Sequence, residues 1–223
     1  MDSVNSLQLL AVIVLPMLFA ITVHEAAHGW VAGQLGDPTA RRLGRVSLNP
    51  LKHIDPIGTL IVPLATFLLT GFLFGWAKPV PIDARNLRNP RRDMAWVALA
   101  GPAANLVMAV LWGWVIHLGL LLFSVWQWAA LPLVYMGALG VLINLVLMVL
   151  NLLPLLPLDG GRVLQAFLPP KLAATYGKLE PYGLILLVLL LVSGLWSLVL
   201  NPILHGLIRW MPGAAIVQEL FFV

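Results

Sequence analysis

The chain has 223 residues, 61% of them hydrophobic and only 10% charged, with a mean hydropathy of +0.95. Soluble domains carry about a quarter of their residues as charges, so these figures exclude a soluble globular protein and predict an integral membrane protein. The net charge of +4 is spread over short segments flanking apolar runs, where Lys and Arg orient a chain and meet anionic lipid; this argues against nucleic acid as a partner.

The apolar stretches leave room for about four to six spans, so the expected fold class is an all-α polytopic helical bundle with short interfacial or re-entrant strand-like loops. Residues 1–223 are read as one transmembrane domain, with a core over about 6–168 and C-terminal transmembrane and interfacial helices over about 181–223. Met1–Ser6 has no positive charge, and cleavage of the first apolar run would remove or detach the helix that follows, so the run is expected to be retained. That helix is predicted from near Ser6, through Pro16, to the stop cluster Gly36-Asp37-Pro38.

Residues Thr39–Pro56 are basic and broken by proline and glycine, an interfacial hairpin in which Arg45–Leu48 alternates like a strand. Ile57–Phe74 is apolar but interrupted by Pro63 and Gly71, and a second basic loop follows with a strand-like Lys78–Ile82. Spans are predicted over Met94–His117 and Pro132–Leu153, then a short helix ending at Leu168, a further span over Pro181–Leu200, and a half-length helix at the end. The first two loops are both basic, so charge does not fix orientation; the lack of Lys and Arg between His117 and Pro132 leans that loop outside.

The chemistry is concentrated in ITVHEAAHGW, Ile21–Trp30. His24 and His28 are four apart and project from one face of a helix, where their ring nitrogens can hold one metal ion. Glu25 beside them can take a proton from water activated by that metal without being a ligand. The fifteen residues from Leu9 to Val23 carry one polar side chain, Thr22, which sets this face in a membrane. The chain has no cysteine, so any third ligand must be a His or carboxylate.

Asp159 is the best candidate, since an aspartate at the end of a long apolar run is costly unless paired or bound to metal, and Gly160 and Gly161 permit a turn that aims it inward. The alternative is an ordinary helix-cap Asp. Asn151, two helical turns earlier, could donate to an oxyanion or serve as glue between helices. Asn105 reads as packing polarity. His53, His117 and His205 lie at segment ends, and only His53 is near the first helix.

Three motifs in order, HEAAH (His24–His28), AGPAANL (Ala100–Leu106) and NLLPLLPLDGG (Asn151–Gly161), resemble the site-2 protease family of intramembrane zinc metalloproteases. NPLKHIDPIGT, GWAKPVPI and RNPRRD resemble its compact bacterial and archaeal branch without PDZ or CBS domains. The resemblance covers about residues 20–165. It implies one zinc per chain on His24, His28 and Asp159, Glu25 as general base and Asn151 as oxyanion donor. The reaction implied is hydrolysis within or beside a transmembrane segment of a membrane-protein substrate, in a prokaryotic cell membrane. The resemblance further implies that the HExxH and LDG helices run in the same direction. That needs an even number of crossings, so either Ile57–Phe74 fails to cross or Lys78–Ile82 re-enters the membrane.

Hydrolysis in a bilayer needs an unwound substrate, and Arg45–Leu48 or Lys78–Ile82 could pair with its extended edge. A catalytically silent scaffold would not need Glu25, and a transporter would be expected to show paired repeats of broken helices, which the chain lacks.

Overall fold

The computed structural model describes residues 6–61 and 78–222. Among them the regular elements are helical: α1 (Ser6–Gln34), α2 (Thr39–Arg42), α3 (Pro90–Leu122), α4 (Gln127–Asn151), α5 (Asp159–Phe167), α6 (Pro170–Gly177), α7 (Glu180–Val192), α8 (Leu195–Ile208) and α9 (Ala214–Phe221), with single turns at Pro50–Lys52, Pro56–Ile61 and Ala84–Asn86. Val12–Gln34, Pro90–Leu122 and Gln127–Asn151 are long and apolar enough to cross a membrane; α6 and α7, bent by 64° at their break, make a fourth if counted as one span. The polytopic helical membrane fold expected from composition is the observed one.

The three long helices form the centre. Lipid offers apolar side chains no reason to leave it, so helix association there depends on close packing of small residues. A Cβ at Gly137 would lie 2.7 Å from the Ile116 side chain, and one at Gly140 would enter the Trp112 ring. The two helices meet there almost backbone to side chain. Ala109 and Ile116 of α3, Ala138, Val141 and Leu145 of α4, Leu204 and Ile208 of α8 and Val217 of α9 form one buried cluster.

Direction follows from the joints. The Arg88 amide donates to the Leu35 carbonyl at 3.1 Å, which sets the start of α3 beside the end of α1. Helix α3 therefore runs back along α1, and α4, joined to it by a short connection at 123–126, runs in the same sense as α1. Among the described residues, the crossings between α1 and α5 are α3 and α4, an even number. Whether Ile57–Phe74 fails to cross, as one of the two expectations has it, lies outside the described residues from residue 62 on; beyond it, the Lys78 amide donates to the His53 carbonyl at 2.9 Å. Residue 78 therefore lies beside the turn at His53, and Val80, two residues on, touches Glu25.

Four expectations need correction. Arg45–Leu48 and Lys78–Ile82 form no paired strand, because Pro79 and Pro81 remove ladder donors and the two segments meet instead through the Arg45 side chain. The span expected over Pro181–Leu200 is two helices, α7 and α8, separated at Gly194, whose φ of +74° is the left-handed conformation that ends a helix. Pro202, two residues past the end expected for that span, lies inside α8. Helix α4 also starts at Gln127, taking Pro132 into its second turn.

The end of α1 is locked by one carboxylate. Gly36 turns the chain at φ +115°, where a Cβ would meet the Asn86 carbonyl oxygen at 2.9 Å. Asp37, fully buried, accepts from the Asp83 amide at 2.7 Å, the Asn86 side-chain amide and the Thr39 amide at 3.0 Å each, and the Thr39 hydroxyl. Burial alone would raise its pKa, but donation from Thr39, Asn86 and the Asp83 amide outweighs it and holds the carboxyl below its ordinary value. Its contribution is therefore complete above the unfolded carboxylate range and fades as pH falls below about 4 toward the lowered folded value. Asp37→Ala is expected to cost about 2–3 kcal/mol by stranding these donors, read as a lower unfolding midpoint in detergent at neutral pH. The gap to the unsubstituted protein should narrow on acidification, and a pH-independent gap would contradict this assignment.

Candidate active site

The site lies between α1, α3 and the start of α5. His24 and His28 stand on successive turns of α1, each 7% exposed, with ring centroids 4.6 Å apart and planes nearly perpendicular. Their Nε2 atoms are 3.0 Å apart. Asp159 closes the group, its Oδ2 3.3 Å from His24 Nε2 and its Oδ1 3.4 Å from His28 Nε2. The spacing that put the two histidines on one face thus meets an aspartate more than a hundred residues away.

The outer ring nitrogens decide what the inner ones can do. His28 Nδ1 lies 2.7 Å from the Val97 carbonyl oxygen, an atom that can only accept, so the proton of a neutral His28 ring is on Nδ1. His24 Nδ1 lies 2.6 Å from Asn105 Oδ1. The orientation of that amide is set further out. Asn144 Nδ2 donates to the Gly140 carbonyl at 2.8 Å, leaving Asn144 Oδ1 to accept from Asn105 Nδ2 at 3.0 Å. Asn105 Nδ2 also faces the Ala20 carbonyl at 3.3 Å, so Asn105 Oδ1 must be the acceptor and His24 Nδ1 the donor. Asn105 and Asn144 are fully buried, where such a chain is held strictly because any unmade bond is expensive.

Both neutral rings therefore turn Nε2 lone pairs toward each other and toward a carboxylate, and Asp159 Oδ2 is buried without a hydrogen-bond donor. This arrangement repels itself unless a cation sits among the three side chains. A tetrahedral zinc with bonds of about 2.0–2.1 Å requires ligand atoms about 3.3–3.4 Å apart; here the two Nε2 atoms are 3.0 Å apart, and each has its own Asp159 oxygen, at 3.3 Å from His24 and 3.4 Å from His28. The donor set fits zinc. His24, His28 and Asp159 are the group of His and acidic side chains among the described residues that could hold a metal.

Glycines let the backbones come this close. A Cβ at Gly101 would be 2.5 Å from both His24 Cε1 and His28 Nε2, so the face of α3 behind the imidazoles must be bare. Gly160 and Gly161 lie within α5 at ordinary helical φ, and what they permit is contact: a Cβ at either would strike the backbone of Leu152–Leu156. The first turn of α5 thereby tucks under the reversing chain and presents Asp159 to the histidines.

Glu25 points to another side, its Oε2 accepting from the Val80 amide at 2.8 Å. Asn151 ends α4, and its side-chain amide donates to the Leu147 carbonyl at 3.0 Å. Because residues 152–158 leave the helix, the two-turn relation between Asn151 and Asp159 does not hold. His53 is buried and bonds the Ser47 carbonyl, His117 bonds the Gly113 carbonyl, and His205 lies against Phe222; none joins the triad. Asn105, read from the sequence as packing polarity, orients a ring of the site. The available signal was a pair of asparagines, Asn105 and Asn144, in two otherwise apolar spans.

Gly101→Ala is expected to force the imidazoles aside, and Asn105→Leu to free His24 to take the wrong tautomer. Each should weaken zinc retention by roughly tenfold to a hundredfold while the helical content stays unchanged. Metal content per purified chain, read beside circular dichroism, checks both; full zinc retention in Gly101→Ala would contradict the packing described.

Comparison with known proteins finds zinc metalloproteases among the relatives of the chain. The chain is 38% identical over 202 residues, 90% of its own length and 89% of the other's, to a Bacillus subtilis protein named "Putative zinc metalloprotease YwhC". Over 205 residues it is 30% identical to "Putative zinc metalloprotease Rip2" of Mycolicibacterium smegmatis, covering 86% of this chain and 72% of that one. The Mycobacterium tuberculosis protein of the same name is 26% identical over 199 residues, 87% and 70% of the two chains. No family model matches, and no solved structure does. Identity at this level across nearly the whole of both chains, with two buried histidines and a half-buried aspartate brought together beside apolar helices, means that the chain belongs to the site-2 protease family of zinc metalloproteases.

Proposed function

We propose that this chain is an intramembrane zinc endopeptidase that hydrolyses peptide bonds within or next to transmembrane segments of membrane-protein substrates, as a multi-pass protein of a prokaryotic membrane. What carries the reading is the inward-facing pair of Nε2 lone pairs, on a helix long and apolar enough to span a bilayer, with the Asp159 carboxylate brought against them. His24, His28 and Asp159 hold one zinc ion per chain. Bound zinc supplies Lewis acidity, acidifying water and polarising a carbonyl.

The chain's own residues do the rest. Glu25, adjacent to one ligand and three residues from the other, is the general base: Oε2 is held by Val80, and Oε1, with no protein hydrogen bond among the described residues, is the oxygen that takes the proton. The same carboxyl then returns the proton to the leaving amine. Val97 and Asn105 keep the imidazoles in the tautomer that leaves Nε2 free. Asn151 serves the oxyanion if its amide leaves the Leu147 carbonyl when substrate binds. Helices α3 and α4 exclude bulk water from one flank through Ala98, Asn105 and Asn144, all buried. A substrate helix must unwind to present its carbonyl, since its backbone is otherwise bonded to itself.

Glu25→Gln in purified protein separates binding from chemistry. Zinc content is expected to stay at one per chain while cleavage of a transmembrane peptide falls by a factor on the order of a hundred or more. Cleavage at the unsubstituted rate would remove Glu25 as the base.

A further inference from the structure

We infer that Lys78–Ile82, braced by Arg45, is a backbone strap that positions Glu25, and that Arg45 is a positioning residue for the reaction; this rests on the reading of Glu25 as the base. The segment is Lys-Pro-Val-Pro-Ile. Proline has no N–H and a fixed φ, and it biases the residue before it toward extended conformations. Lys78 and Val80 each precede a proline, so the segment is stiff before any contact is made. Between Lys78 and Ile82 the backbone retains one amide proton, on Val80, and that proton is given to Glu25 Oε2 at 2.8 Å.

The strap is held on both sides of that bond. The Arg45 guanidinium reaches across 33 residues of sequence to donate from Nη2 to the Lys78 carbonyl at 2.8 Å and, more weakly, to the Pro79 carbonyl at 3.4 Å. The Lys78 amide donates to the His53 carbonyl, and the His53 ring is itself fixed on the Ser47 carbonyl at 2.9 Å. The Val80 side chain is buried and seated at Gly29, where a Cβ would lie 3.0 Å from Val80 Cγ1, Val46 Cγ2 and Ala40 Cβ alike. Gly29 is one turn beyond Glu25. Carbonyl clamp, amide anchor and side-chain seat together leave the Val80 amide little freedom to move along α1.

The consequence concerns the carboxylate. A glutamate side chain has many rotamers, and a base must stand within hydrogen-bond reach of its proton. One oxygen fixed by a preset donor leaves the other facing a constant direction. The strap is also largely unavailable to an incoming strand: two of the three amides in Lys78–Ile82, those of Lys78 and Val80, and the carbonyls of Lys78 and Pro79 are committed within the chain. The expected pairing of a substrate edge with this segment is replaced by a positioning role.

The experiment compares zinc-loaded protein with Arg45→Ala and Arg45→Lys, measuring zinc per chain, kcat and KM on a transmembrane peptide, and deuterium uptake at Val80, resolved by subtracting overlapping peptides that differ across Pro79–Pro81. Arg45→Ala should keep its zinc and hold KM within about twofold while kcat falls roughly tenfold to a hundredfold. Uptake at Val80 should accelerate. Arg45→Lys, which supplies charge without the planar fork, should be intermediate, and added ethylguanidinium should restore part of the activity of Arg45→Ala. Unchanged kcat, unchanged uptake at Val80, or loss of activity in step with loss of zinc would each overturn the strap. Exchange does not depend on turnover: if Glu25→Gln still cleaves while Val80 uptake rises in Arg45→Ala, the base assignment falls and the clamp stands.

Discussion

Two neutral imidazoles that turn their Nε2 lone pairs toward each other at 3.0 Å are the interaction on which the structure depends. The protons lie on the far side of each ring, committed to Val97 and Asn105, so the near sides are electron-rich and face a carboxylate. In a low-dielectric interior such an assembly is sustained by a cation held among its members. Much else in the fold serves to keep those atoms in place.

The means are economical. Small residues allow α3 to lie directly behind the rings and α5 to begin under a reversing chain, so that ligands from distant parts of the sequence converge without long flexible side chains. Buried amides then orient what packing has placed. The chain from Gly140 through Asn144 and Asn105 to His24 runs in one direction only, ending on a backbone carbonyl that cannot donate. Each amide orientation follows from the next, so the tautomer of His24 is decided on α4, a helix that supplies no member of the triad. The strap on the other flank works on Glu25 by the same logic, using backbone where the relay uses side chains.

Helix periodicity made the histidine pair legible, because a spacing of four places two rings on one face whatever the tertiary fold. The cost of an aspartate beside a long apolar run pointed to Asp159 for the same local reason. The bounds of α1 were legible too, Gly36 and Asp37 marking its end. The partners of these residues were not. Asn105 looked like packing because nothing within α3 shows that His24 lies against it, and the apparent two-turn relation of Asn151 to Asp159 assumed a helix that ends at Asn151. Strand-like alternation in Lys78–Ile82 was a property of its prolines rather than of a sheet. The break at Gly194 was missed because glycine inside an apolar run is common in spans, and only the positive φ distinguishes a hinge from a packing contact.

The central claim is that the three atoms enclose one zinc ion, and X-ray absorption at the zinc edge of the purified protein tests it most directly. The account predicts a first shell of two imidazole nitrogens with oxygens at about 2.0–2.1 Å, losing one oxygen contribution in Asp159→Ala. A zinc shell that is unchanged by that substitution, or that contains no imidazole, would contradict it.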